Sequence, residues 1–389
     1  MYAQADATKL VAFHQNQVKK RDKMINKINL EQTLDRLLAF AEHRLDDGIL
    51  ANISVCDKPS PLSPDGEQAY IKECPLIKER ENYFKPIIDY FKNIDPSNLC
   101  DSIPCTYPTS AFGESIWSAF YGGNITFAGT KDSTWSHCSE SVVKNLNEFT
   151  FPELPEDNFW VRKMLETTKY AADKIGASCD FTPFIFYDCL NLLVELRGAT
   201  DAYMDLYDSP ELVTRFMDWS VNANIKIYDA QSNILKDIAG SAMGGHPYKI
   251  FSRSCIPDLS IDAYGLCNVE TYQNFGLEYH KRIVEHYGGG RLHIHANGRH
   301  LCKTVSTIKK LCCCQLTDDI GYPAPWEILE ELKDDLYPIP VRIKIPKEIF
   351  IRRLNKRELP GGVLYEFSVE KMSEANEIMK KVFDYSPSN

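Results

Sequence analysis

The chain has 389 residues and 44% hydrophobic content, enough for one large α/β domain with an added lobe, or for two domains. A net charge of −10 without a long basic run argues against a nucleic-acid partner. No uncharged apolar run approaches the roughly 18 residues that span a bilayer, and the N-terminus lacks the charged start and apolar core of a secretion signal. The expectation is a soluble, cytoplasmic protein with no membrane partner.

The thirteen cysteines are an odd number and include no C-x-x-C pair, so they read as reduced thiols rather than a disulfide framework. Cys312-Cys313-Cys314 would alternate faces on a strand, which suits small apolar core residues better than a ligand cluster.

Taken in order, Leu10 to Ile28 has the pattern of a charged amphipathic helix. Asn29 is placed to cap a second helix, with Leu30, Leu34, Leu37, Leu38, Ala41 and Leu45 at helical spacing and Asp46-Asp47-Gly48 as its end. Ala51 to Val55 has strand character, and Lys58 to Gly66 reads as a loop. A helix is expected over Leu76 to Asn93, with Pro86 as a kink. Tyr121-Gly122-Gly123 and Phe127 suggest a turn and a short strand. An amphipathic helix follows through Met164, Leu165 and Ile175, and then an aromatic strand-like segment, Asp180 to Tyr187. Helical patterns carry Leu190, Leu193 and Leu196. Another helix opens at Asp208-Ser209-Pro210-Glu211, where a capping side chain precedes Pro in the first turn. The last third alternates strand and helix through Ser260–Tyr264, Val269–Tyr287, Arg291–His295, Arg299–Lys310, Leu311–Thr317, Val341–Ile345, Val363–Phe367 and Glu374–Phe383.

This alternation predicts a parallel sheet. With no Gly-rich dinucleotide fingerprint, a single (β/α)8 TIM barrel fits better than an open sheet. Residues 1–85 are expected to form an N-terminal helical extension, as a packing element, lid or homodimer contact, and 86–389 the barrel.

The strand around Arg291-Leu292-His293-Ile294-His295-Ala296-Asn297-Gly298 is the expected centre of the site. Alternation puts His293 and His295 on one face, about 7 Å apart. The next strand ends in Asp318-Asp319, and Asp262 ends the preceding one. In parallel α/β folds chemistry collects at such C-terminal strand ends. One reading has His293 and His295 holding a metal such as zinc, completed by a carboxylate or water, with Asp262, Tyr264 and Asp319 as catalytic candidates. Asp318 or Asp319 could be a third ligand or lie behind a histidine. A metal-free reading has the histidines contacting substrate, and a bland one has them lining the strand ends. His246, Asn297 and Tyr322 are candidate substrate contacts. Asp205 and Asp208 are explained by capping, and Arg197 by packing.

Three stretches resemble the uroporphyrinogen decarboxylase superfamily. Asp205-Leu206-Tyr207-Asp208-Ser209-Pro210-Glu211-Leu212 is similar to one of its segments. Asp262-Ala263-Tyr264, the following helix and His293-Ile294-His295-Ala296-Asn297-Gly298 resemble its Asp, helix and His-x-Cys-Gly block. Leu359-Pro360-Gly361-Gly362-Val363-Leu364 resembles its penultimate strand. The resemblance covers roughly residues 100 to 389. It implies a single TIM barrel and one of two activities, decarboxylation of a porphyrinogen or zinc-dependent methyl transfer involving a corrinoid protein. The chain departs from both branches. The paired arginines of the decarboxylases have no counterpart. His295 stands where the methyltransferases often have Cys, and no cysteine follows Cys314.

Three functions therefore compete. The first is a methyltransferase of corrinoid-dependent one-carbon metabolism, acting on a small methylated substrate or a thiol or folate acceptor, with a corrinoid protein as partner. The second is a decarboxylase of a polycarboxylate, for which Arg291, Arg299 and Lys344 are the nearest basic candidates. The third is a non-catalytic binding barrel.

Overall fold

The computed structural model describes residues 25–45, 47–55, 69–71, 80–106, 109, 112–129, 134–138, 140–153, 157–175, 179–181, 183, 186–239 and 256–385. The expected helix from Leu10 lies mostly outside them, and the Lys58–Gly66 loop and His246 lie wholly outside.

Eleven strands are described: β1 (Ile49–Val55), β2 (Ala69–Ile71), β3 (Cys105–Thr106), β4 (Ile125–Gly129), β5 (Thr134–Cys138), β6 (Asp180–Phe181), β7 (Asp258–Ser260), β8 (Gly290–Ile294), β9 (Leu311–Leu316), β10 (Val341–Lys344) and β11 (Val363–Val369). The main sheet has the order β1-β11-β10-β9-β8-β7, and every pairing in it is parallel. β3 and β6 form a separate parallel pair, while β2, β4 and β5 make an antiparallel sheet.

The expectation of a closed barrel is corrected here, because the sheet is open. Six strands pair continuously, and β3 and β6 pair only with each other among the described residues. Near them, Asp101 N donates to Ala51 O at 2.9 Å beside β1, and Phe186 N to Asp258 O at 3.1 Å beside β7. Within the stretch expected as an N-terminal extension, β1 pairs along its whole length with β11.

The two faces of the main sheet differ in chemistry. One carries Ile49, Ala51, Ile53, Leu259, Leu292, Ile294, Cys314, Leu316, Val341, Ile343, Val363 and Tyr365, all part of the larger apolar core. Through the cross-strand register the other face aligns Asn52, Glu366, Arg342, Gln315, Arg291, His293, Asp258 and Ser260. Its buried charges are matched: Arg342 reaches Glu366 at 2.5 Å, Asn52 donates to the same carboxylate, and Arg291 lies 3.8 Å from Asp258. Charges taken out of water need such partners.

The helix Leu30–Ala41 covers the N-terminal end of that polar face. Its Leu34, Leu37, Leu38 and Phe40 form a second core with Leu50, Ile103, Cys313 and Leu364. Arg36 anchors it with a two-pronged contact to Asp101 at 2.7 and 3.0 Å and a bond to Ile49 O. The opposite, C-terminal end of the strands is left for the site.

The helix expected over Val269–Tyr287 is broken into Val269–Phe275 and Leu277–Tyr287 at Gly276. A Cβ there would come within 2.5 Å of the Tyr272 ring. Gly288 ends the second helix in the left-handed region (φ 69°), where a residue without Cβ is favoured. Helices Ala199–Asp208, Leu329–Leu336 and Lys347–Lys356 were not among the expected elements. Asp205, read as a cap, instead pairs with Arg197 at 2.9 Å. Asn29 makes no side-chain cap, and its amide donates to Leu99 O.

Candidate metal centre at the strand ends

β8 runs through His293, and His295 follows one residue beyond its end, so both rings emerge on the polar face. Their Nε2 atoms lie 3.1 Å apart, with the rings nearly perpendicular at 79°. Each ring is held from behind. His293 Nδ1 is 3.3 Å from Gln315 Oε1 on β9. His295 Nδ1 is 3.0 Å from Asp319 Oδ1 and 3.2 Å from Thr317 Oγ1. The acceptors behind both rings suit protons on Nδ1, the tautomer in which both Nε2 atoms are able to ligate a cation.

Asp262 completes the cluster. It follows β7 at the start of a short 3-10 turn, Ala263–Leu266. Its Oδ1 lies 3.8 Å from His295 Nε2, is shielded from solvent and has no hydrogen-bond partner among the described residues. One ligand atom from each of Asp262, His293 and His295 falls within 4.8 Å of the other two. With both rings in the Nδ1–H tautomer these three atoms are all acceptors, and a cation between them relieves their repulsion. Imidazoles bound to one zinc at about 2.0–2.1 Å would hold their nitrogens about 3.3 Å apart at the tetrahedral angle, close to what is seen. The residues therefore fit a divalent metal, in the two-histidine, one-carboxylate set used by zinc and non-haem iron sites with open positions.

Asp319 stands one layer back. Its second oxygen accepts from Ala296 N and Thr317 Oγ1, both at 2.6 Å. Burial opposes its ionisation, but the bonds from Thr317, Ala296 and His295 outweigh it and take the carboxyl down to about 2. A carboxylate behind a ligating histidine fixes the tautomer and raises ring basicity.

The surroundings are acidic. Glu114 precedes the helix Ile116–Phe120, open to solvent on one side and hemmed in by protein on the others. That desolvation, then the charges of Asp262 and Glu195, push its carboxyl up to about 7, with His295 pulling the other way. Glu195 comes from the helix Cys189–Arg197, and its Oε1 is buried without a partner.

The other expected site residues are placed as follows. Tyr264 does not join the cluster: it is fully buried, donates its hydroxyl to Phe275 O at 2.7 Å and packs edge-on against Tyr272. Asn297 is half-buried over Gly265, where a Cβ would come within 3.1 Å of its side chain. Tyr322 is exposed, with its amide on Asp319 O. Arg299 is engaged with Pro323 O and Thr317 O. Gln315, Thr317, Glu114 and Glu195 were not anticipated. Alternation along Cys313-Cys314-Gln315-Leu316-Thr317 places Gln315 and Thr317 on one face, and that signal was available. Nothing local marks Glu114.

Set against family models, characterised proteins and solved structures, the chain matches none.

Proposed function

We propose that this protein is a metal-dependent enzyme whose centre is His293, His295 and Asp262, and that its reaction is methyl transfer of the kind catalysed by the corrinoid-linked branch of the uroporphyrinogen decarboxylase superfamily. The observation that carries this reading is the convergence of two imidazole Nε2 atoms and a carboxylate oxygen that has no hydrogen-bond partner among the described residues. A divalent ion there, zinc by the chemistry of the donors, supplies Lewis acidity toward a thiol, phenol or water. His293 and His295 hold their rings in a fixed tautomer, with Gln315 and Asp319 behind them. Glu114 holds a proton near neutral pH beside Asp262 and His295.

The acidic surroundings favour methyl transfer over decarboxylation of a polycarboxylate. Arg291 and Arg342 face Asp258 and Glu366, and Arg299 is bonded to backbone carbonyls. Asp262 and Asp319 would repel a polyanion. The test is demethylation of methylcobalamin by zinc-loaded protein across thiol, folate and phenol acceptors. Metal-dependent turnover is expected with at least one acceptor, falling more than about 100-fold in His293→Ala. Full metal loading without turnover on any acceptor would remove the methyl-transfer assignment while leaving the metal centre.

A further inference from the structure

We infer that Asn191, held by Asp188, is the positioning residue that aims the Asp262 carboxylate at the two histidines. The inference rests on the metal reading above. Asp262 sits in a turn, and its backbone has no strand ladder to fix it. The turn is instead tied to a buried side-chain relay from the helix Cys189–Arg197. Ala263 N, the amide next to Asp262, donates to Asn191 Oδ1 at 3.1 Å. Asp262 N donates to Ser260 Oγ at 3.1 Å, and Asn191 Nδ2 lies 3.5 Å from the same hydroxyl. Asn191 thus touches both peptide groups that flank the Asp262 side chain, one directly and one through Ser260.

Asn191 is itself fixed. Its Nδ2 donates to Asp188 Oδ2 at 2.5 Å, while Asp188 Oδ1 accepts from Leu190 N and Asn191 N at 3.0 and 3.1 Å. Those two amides are the free donors of the helix start, so Asp188 is at once a helix cap and the anchor of Asn191. Asp188 is fully buried and Asn191 nearly so. An Asn is needed at this place because the relay asks for a donor toward Asp188 and Ser260 and an acceptor for Ala263 in one planar group. Asp supplies no donor, and Leu supplies neither. From the other side the turn is closed by His300, whose Nε2 lies 2.8 Å from Cys267 O and whose Nδ1 lies 2.9 Å from Asn297 O.

The experiment is a cobalt(II) titration of the full chain, followed by calorimetry and by the visible absorption of the ion. Wild type, Asn191→Ala, Asp262→Ala and the double variant are compared, with Thr33→Ala, a buried hydroxyl on the helix Leu30–Ala41 at the other end of the sheet, as control. Partners behind a ligand are worth about 10- to 100-fold in metal affinity. Asn191→Ala is expected to lose that much, and the Thr33→Ala control less than about twofold. In the Asp262→Ala background, Asn191→Ala should cost nothing further, because the residue acts only through Asp262. Asp188→Asn keeps a good helix cap, turns a second amide toward Asn191 Nδ2, and should weaken binding in the same direction, so a poorly folding Asn191→Ala leaves the test intact. Wild-type affinity in both Asn191→Ala and Asp188→Asn, or losses that multiply in the double variant, would overturn the inference alone. No cobalt uptake by the wild type would overturn it together with the metal reading.

Discussion

At the scale of single residues, the decisive feature is that the two histidines are oriented before any ion arrives. Asp319 does most for His295, because its carboxylate is held ionised by Thr317 and the Ala296 amide. Asp319→Asn keeps the shape but removes the charge, and metal affinity should drop about 10- to 100-fold in a competition titration. The pH dependence has a definite sign. The folded-state carboxyl titrates at about 2, below the 3.8 of an unperturbed aspartate. Its contribution to stability is therefore complete above about pH 4 and disappears as the pH falls toward 2. Asp319→Asn should therefore be less stable than wild type above about pH 4 in denaturant unfolding monitored by circular dichroism, and the two proteins should converge as the pH falls toward 2. Identical affinity in both proteins would mean that Asp319 does not act on His295.

At the scale of elements, the chain is most legible where one rule decides. The strands β10 and β11 follow from alternation and β-branched or aromatic content, and β8 and β9 from short apolar runs between helical patterns. Gly288 marks a helix end because the left-handed conformation there suits a residue without Cβ. Pro210 opens a long helix because its missing N–H costs nothing in the first turn. The break at Gly276 was hidden, because it depends on Tyr272 and Tyr264 packing across it. Gly276→Ala should lower the thermal midpoint, by about 1–3 kcal/mol of stability, since its Cβ would fall 2.5 Å from a rigid ring. A midpoint within one degree of wild type would show that the ring pair yields. The helices Leu329–Leu336 and Lys347–Lys356 were missed because their short apolar stripes, Leu329, Leu332 and Leu336 in one and Phe350 and Leu354 in the other, gain meaning only against the sheet.

At the scale of the whole molecule, two kinds of surface are sorted onto opposite sides of one parallel sheet. The apolar side carries the core, and the polar side carries matched charges that lead up to the site. The helix Leu30–Ala41 covers the far end, and the candidate site lies at the C-terminal strand ends. Pattern reasoning found His293, His295, Asp262 and Asp319 because strand ends concentrate side chains from neighbouring loops. It placed Tyr264 there too, since sequence spacing cannot tell a ring at the site from one turned into the core. It also closed the barrel, because alternation of strand and helix reports how elements follow each other and not how many hydrogen bonds join the last pair. Glu114 and the Asn191 relay stayed invisible, since both reach the site from elements distant in sequence.

Metal content measured on purified protein, with cobalt(II) titration beside it, is the most direct test. One equivalent of divalent ion per chain is expected, bound through nitrogen and oxygen and abolished in His293→Ala with His295→Ala. Absence of binding at micromolar metal, or equal binding by that double variant, would contradict the account.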